Sequence, residues 1–152
     1  MKFKLGISVV TLAFVLMACN TSFGDSALSK LSGSGNGSTI GSDGTISGEI
    51  RIALMPSSAF ASVKGKAKFK NRGGERELEV EVENLVGRSG QSVSVCLNNL
   101  RVGGAVINPF NEANMNLNSD RGQTVPNVTT GSSVQVWLSA SCSGNLVASG
   151  SF

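Results

Sequence analysis

Five glutamates at alternate positions, Glu75, Glu77, Glu79, Glu81 and Glu83, form the densest row of chemically capable side chains in this 152-residue sequence. Carboxylates spaced in this way can hold a cation or a cationic ligand, or they can form the solvated face of a strand. Lys64, Lys66, Lys68 and Lys70 stand just before them with the same spacing and favour the second reading, a face neutralised by its own lysines. Asp43, Glu49, Glu112 and Asp120 are isolated acids. A hydrolase whose two carboxylates meet in the fold stays open as an alternative. The sequence has no histidine and no tyrosine, which removes the commonest general base, the commonest transition-metal ligand and one further acid. It has neither a G-x-S-x-G elbow nor an S-x-x-K motif. No catalytic residue, metal or cofactor is therefore expected. Asn116, Asn118 and Asp120 alternate as calcium-loop ligands do, but Arg121 stands where such a loop needs glycine and Asn127 where it needs a bidentate glutamate. An edge strand running into a turn explains the same residues. Trp137, the single tryptophan, is the candidate for ligand contact, because its parity opposes that of Val134, Val136 and Leu138. An outward indole would be a stacking platform for a glycan; the alternative is packing at the edge of the core.

The three cysteines divide into one and two. Met1 to Cys19 opens with Lys2 and Lys4, continues as the apolar run Leu5 to Leu16, and ends in Leu16-Met17-Ala18-Cys19. The run is short for a membrane span. This segment resembles the bacterial lipoprotein signal, in which a lipobox precedes the lipidated cysteine. The resemblance implies that residues 1–18 are a signal peptide and that Cys19 becomes a diacylated first residue, anchoring the chain to a membrane. Asn20 in place of aspartate implies an outer-membrane or surface destination. The alternative is an ordinary secretory signal cleaved elsewhere. With Cys19 lipidated, Cys96 and Cys142 remain as a pair in an exported domain, where an even pair usually bridges. A disulfide between them is expected to staple the two halves of the fold; two separate buried thiols are the alternative.

The formal net charge is +3, but Lys2 and Lys4 supply two of the 13 basic residues and leave 11 against 10 acids. No basic stripe remains that could track a phosphate backbone, so nucleic acid is not an expected partner.

The elements that must position these groups lie beyond the signal. Residues 19–44 are dominated by Ser, Gly, Asn and Thr and read as a disordered, flexible tether. Residues 45–152 read as one domain. Its clearest element is Gly65 to Leu85, a hairpin whose arms alternate lysine or glutamate with apolar residues and meet at Asn71-Arg72-Gly73-Gly74. With Gly73-Gly74 as a two-residue turn, Phe69 faces Leu78 and Lys68 faces Glu79; a four-residue loop shifts the partners but keeps lysine against glutamate. Further alternating runs lie at 46–54, 92–97, 100–107, 114–118, 134–138 and 146–152, with Gly103-Gly104 at an expected bulge. No segment keeps a 3.6 period. Gly90 to Leu97 is echoed by Gly131 to Leu138, either a duplicated strand unit with one copy in each half or the chance recurrence of a simple pattern. About eight short antiparallel strands argue a two-sheet β-sandwich. The GKAKFK…ELEVEVENL hairpin and the closing GSSVQVWL…VASGSF are loosely similar to secreted bacterial β-sandwich modules of the CHRD type. That resemblance implies an extracellular module without an agreed catalytic activity. The histidine motif that often marks the type is absent, so no binding residue is carried over. The expected function is a lipid-anchored envelope or surface module that binds an envelope protein or a glycan, or is structural. The alternatives are the hydrolase above and an assembly subunit pairing through an edge strand.

Overall fold

The computed structural model describes residues 37–152. The signal segment, Cys19 and the tether before residue 37 lie outside the described residues. The described chain folds as nine strands: β1 (Thr39–Ile40), β2 (Ile46–Pro56), β3 (Lys64–Arg72), β4 (Glu75–Glu83), β5 (Ser92–Leu97), β6 (Leu100–Val106), β7 (Ala113–Asn118), β8 (Ser133–Leu138) and β9 (Asn145–Ser151). Short 3-10 turns occupy Ser58–Phe60 and Ser119–Arg121. All the pairings are antiparallel, as the period-two pattern implies.

Hydrogen bonds join the strands in the order β6-β5-β8-β9-β2-β3-β4-β7, with β1 added to the start of β2. The result is one continuous, nearly closed, barrel-like path, whereas the sequence suggests two separate sheets. The reason is β2. Its middle, Gly48 to Leu54, pairs with β3, while its last residues, Met55 and Pro56, pair with Ser149 and Ala148 of β9. The long strand thus belongs to both halves. Pro56, which has no N–H to give, stands at the strand's last position. The path closes on itself where Met115 of β7 lies over Gly103 of β6; a Cβ on that glycine would sit 2.5 Å from the Met115 sulfur.

The lysine/glutamate hairpin is β3–β4, in the register of a two-residue turn: Arg72 faces Glu75, Lys70 faces Glu77, Phe69 faces Leu78 and Lys68 faces Glu79. Gly73 and Gly74 have φ of 62° and 91°, the left-handed pair that a twist-matched two-residue hairpin needs. The inward parity of β3, β4, β5 and β8 fills the interior with Phe69, Leu78, Val80, Val82, Val95, Val134 and Val136, each at most 2% exposed. Phe152 packs edge-on against Phe69, with ring centroids 6.3 Å apart. The connection between β7 and β8 adds Val125 and Val128 to the same core.

The echoed stretches are neighbours. β5 pairs with β8, and Val95 faces Val136, its own counterpart in the repeat. Each opens a hairpin that runs outward, β5 to β6 and β8 to β9. Each hairpin shifts register at the matching place, between Val95 and Cys96 in one and between Val136 and Trp137 in the other. The two copies therefore stand side by side in one half, and not one in each half. Part of the stretch assigned to the tether by composition, 37–44, carries β1, with Thr39 opposite Ser47 and Ile40 opposite Ile46.

Candidate functional site

The outer face of β3 and β4 is a ladder of opposite charges. Lys68 Nζ lies 2.7 Å from Glu79 and 3.6 Å from Glu77; Lys66 lies 2.8 Å from Glu81 and Lys70 2.7 Å from Glu75. The asparagines of β7 complete the rows from the other side of β4. Asn116 Nδ2 donates to Glu77 at 2.7 Å, Asn114 Nδ2 to Glu79 at 3.3 Å and Asn118 Nδ2 to Glu75 at 3.4 Å. Hydrogen bonds from Lys70 and Lys68 lower the pKa of Glu75 and Glu79, and the same bonds raise those of Lys70 and Lys68. Chemically this face is a set of occupied carboxylates. Among the described residues no three His, Cys, Asp or Glu side chains converge as a metal site would require. Asn116, Asn118 and Asp120 serve the edge strand and its turn: Asn118 Oδ1 accepts from Asp120 N–H at 2.7 Å and caps the 3-10 turn.

Trp137 stands on the outer side of the other half, half-buried, with its Nε1–H donating to Gln135 Oε1 at 3.3 Å. Ser94 faces it across the β5–β8 ladder. Ser94 is fully buried, and its Oγ–H donates to Ser141 O at 2.6 Å. The loop from Ser139 to Gly144 thus lies over the outside of β5. Ser139 Oγ holds its shape by bonding Ser141 O at 2.6 Å and Ser143 O at 2.7 Å. Cys96 and Cys142 form a disulfide, with Cα atoms 5.9 Å apart. The bond ties β5 to the β8–β9 loop of the same half, so it clamps a loop over a strand where the sequence suggests a staple between halves. β5 is consequently buried on both faces from Val93 to Leu97.

Sequence reasoning did not single out the loop residues at one end of the barrel. Val86 and Phe110 are 76% and 79% exposed there, beside Val106 at the end of β6, 62% exposed. A short apolar residue in a turn carries no period, and whether it turns in or out depends on the loop's hydrogen bonds. No protein-family model, no curated protein and no solved structure matches this chain.

Proposed function

We propose that this chain is a non-catalytic module, anchored to the cell envelope by lipid at Cys19, that acts through contacts of its outer surface with an envelope protein or glycan. The charge ladder carries the reading. Neighbouring glutamates on β4 are about 7 Å apart along the strand, close enough for a carboxylate pair. A general acid in such a pair needs a raised pKa, but Lys68 sits between Glu77 and Glu79, and that of Glu79 is lowered. This favours a structural face over a hydrolase. The filled interior likewise supports contact through the outside, since Phe69, Leu78 and the core valines occupy the space a lumenal ligand would take. We read the two halves that share β2 as the two sheets of a sandwich-like module.

The anchor is tested by metabolic labelling with a palmitate analogue. The parent chain is expected to take up label and Cys19→Ala to take up none. Equal labelling of the two would remove the anchor from the proposal.

A further inference from the structure

We infer that the end of the barrel bearing Val86 and Phe110 is an interface at which two copies of this chain associate. Two hydrogen-bonded turns hold these side chains in water. In the first, Arg88 N–H donates to Leu85 O at 3.1 Å, and Gly87 takes the left-handed third position at φ 73°. That leaves Val86 on the corner. In the second, Asn111 N–H donates to Asn108 O at 3.0 Å. Asn108 Oδ1 accepts from Phe110 N–H at 2.9 Å and from Glu112 N–H at 3.0 Å. Leu85 N–H donates to Asn111 O at 2.9 Å and joins the two turns. The exposure of Phe110 and Val86 is therefore built by the backbone. An aromatic on a backbone-fixed turn suits an interface anchor, because the turn itself need not be ordered on binding.

The same end carries the matching recess. A groove of about 390 Å³ runs between the segment from Ser58 to Val63 and the first turn, with Phe60, Val63, Leu85 and Val86 as its apolar lining and Arg88 at its lip. Among the described residues Arg88 makes no salt bridge, and neither does Glu112, two residues from Phe110. Ser58, Ser62 and Asn84 add polar lining to the groove, and among the described residues Glu112 Oε2 accepts only from Asn108 Nδ2 at 3.4 Å. An apolar knob beside an acid without a cation and a groove with an apolar floor beside a base without an anion form a self-complementary set. A two-fold axis brings each Phe110 to the other copy's groove and each Glu112 to the other copy's Arg88, the reciprocal pattern of an isologous contact. The first described residues, Gly37 and Ser38, lie at the other end of the barrel. They pack on Gly48, which pairs with Asn71 beside the Gly73-Gly74 turn, at the opposite end of β4 from Val86.

Sedimentation equilibrium of the exported chain carrying Cys19→Ser, from about 1 μM to about 1 mM, tests this without any lipid anchor. The average mass is expected to rise from one chain toward two. Phe110→Ser should weaken the dimer about a thousandfold, because the two-fold contact loses two anchors at about thirtyfold each. Arg88→Glu should weaken it too, and Glu112→Arg added to the same chain should restore it. All these positions are exposed, and an unchanged circular dichroism spectrum verifies that each variant folds. A mass of one chain throughout overturns the inference, as does a dimer indifferent to both Phe110→Ser and the charge exchange. A monomer that binds vesicles of phosphatidylcholine and phosphatidylglycerol through Phe110 also overturns it, because the end would then belong to a bilayer.

Discussion

Lys68 is the most connected side chain of the charged face, since it reaches Glu79 at 2.7 Å and Glu77 at 3.6 Å while only 22% of its side chain is exposed. Lys68→Ala leaves those two carboxylates side by side without a cation. It should lower stability by about 1 kcal/mol in urea titrations, near the top of the range for cross-strand charge pairs. No change on truncation would mean that the ladder serves solubility alone. The directions of the pKa shifts set the pH dependence. Glu75 and Glu79 are lowered in the fold, so their contribution is present above the ordinary glutamate value of about 4.3 and is lost as pH falls through the lower folded value. Lys68 and Lys70 are raised, so theirs is present below about 10.4 and is lost as pH rises through the higher folded value. Urea midpoints should be level between these limits, and Glu79→Gln should flatten the acid limb. A parent and variant with superimposable acid limbs would assign the acid loss to other groups. That lysine faces glutamate can be read from the sequence, because strict alternation sets it for either loop length; the pairing of Lys68 with Glu79 follows only from the two-residue Gly73-Gly74 turn. The Asn116 to Glu77 bond cannot be read there, since β7 lies far along the chain and no local pattern names its neighbour.

Among the strands, β1 and the β5–β8 pair show where local patterns run out. Thr39 and Ile40 sit in a Ser/Gly-rich stretch with too few apolar residues to signal a strand, and they become one because β2 leaves the edge at Ile46 and Ser47 free to pair. The echo between β5 and β8 is plain in the sequence, but its meaning depends on strand order, which alternation does not encode. β1 rests on Gly48, whose φ is 98° and whose hydrogen side faces Gly37 O and Ser38 Cα; a Cβ there would come within 2.8 Å of both. These obstacles are backbone atoms and cannot swing aside. Gly48→Ala should therefore release β1, cost about 1–2 kcal/mol, and erase hydrogen-exchange protection around residues 39–41 while β3–β4 keeps theirs. Protection retained at β1 in the alanine variant would show that the Gly37 segment can shift without losing its pairing.

The barrel as a whole is asymmetric in how its outside is covered. One half shows water a charged ladder, and the other buries the outer face of its central strand beneath a serine-rich loop held by Cys96–Cys142. Cysteine count and the export expected from the N-terminal sequence suffice to suggest this bond. A separation of 46 residues does not say what it joins, because that depends on β5 and β8 being neighbours. The clamp has two physical consequences. It shortens the unfolded chain's reach, which the loop-entropy argument sets at roughly 4 kcal/mol for a loop of this length. It also keeps the loop over Ser94, whose buried Oγ donates to Ser141 O. Replacing both cysteines by alanine should lower unfolding stability by about 2–4 kcal/mol without changing the fold. Reduction of the parent by a dithiol should give the same loss. The two effects separate in Ser94→Ala made with the disulfide intact: a cost of about 0.5–1.5 kcal/mol there would be that of one hydrogen bond, since Ser141 O keeps its bond from Ser139 Oγ. If Ser94→Ala costs nothing and the double alanine variant is as stable as the parent, the loop neither clamps β5 nor depends on it, and burial of the strand's outer face must come from elsewhere in the barrel.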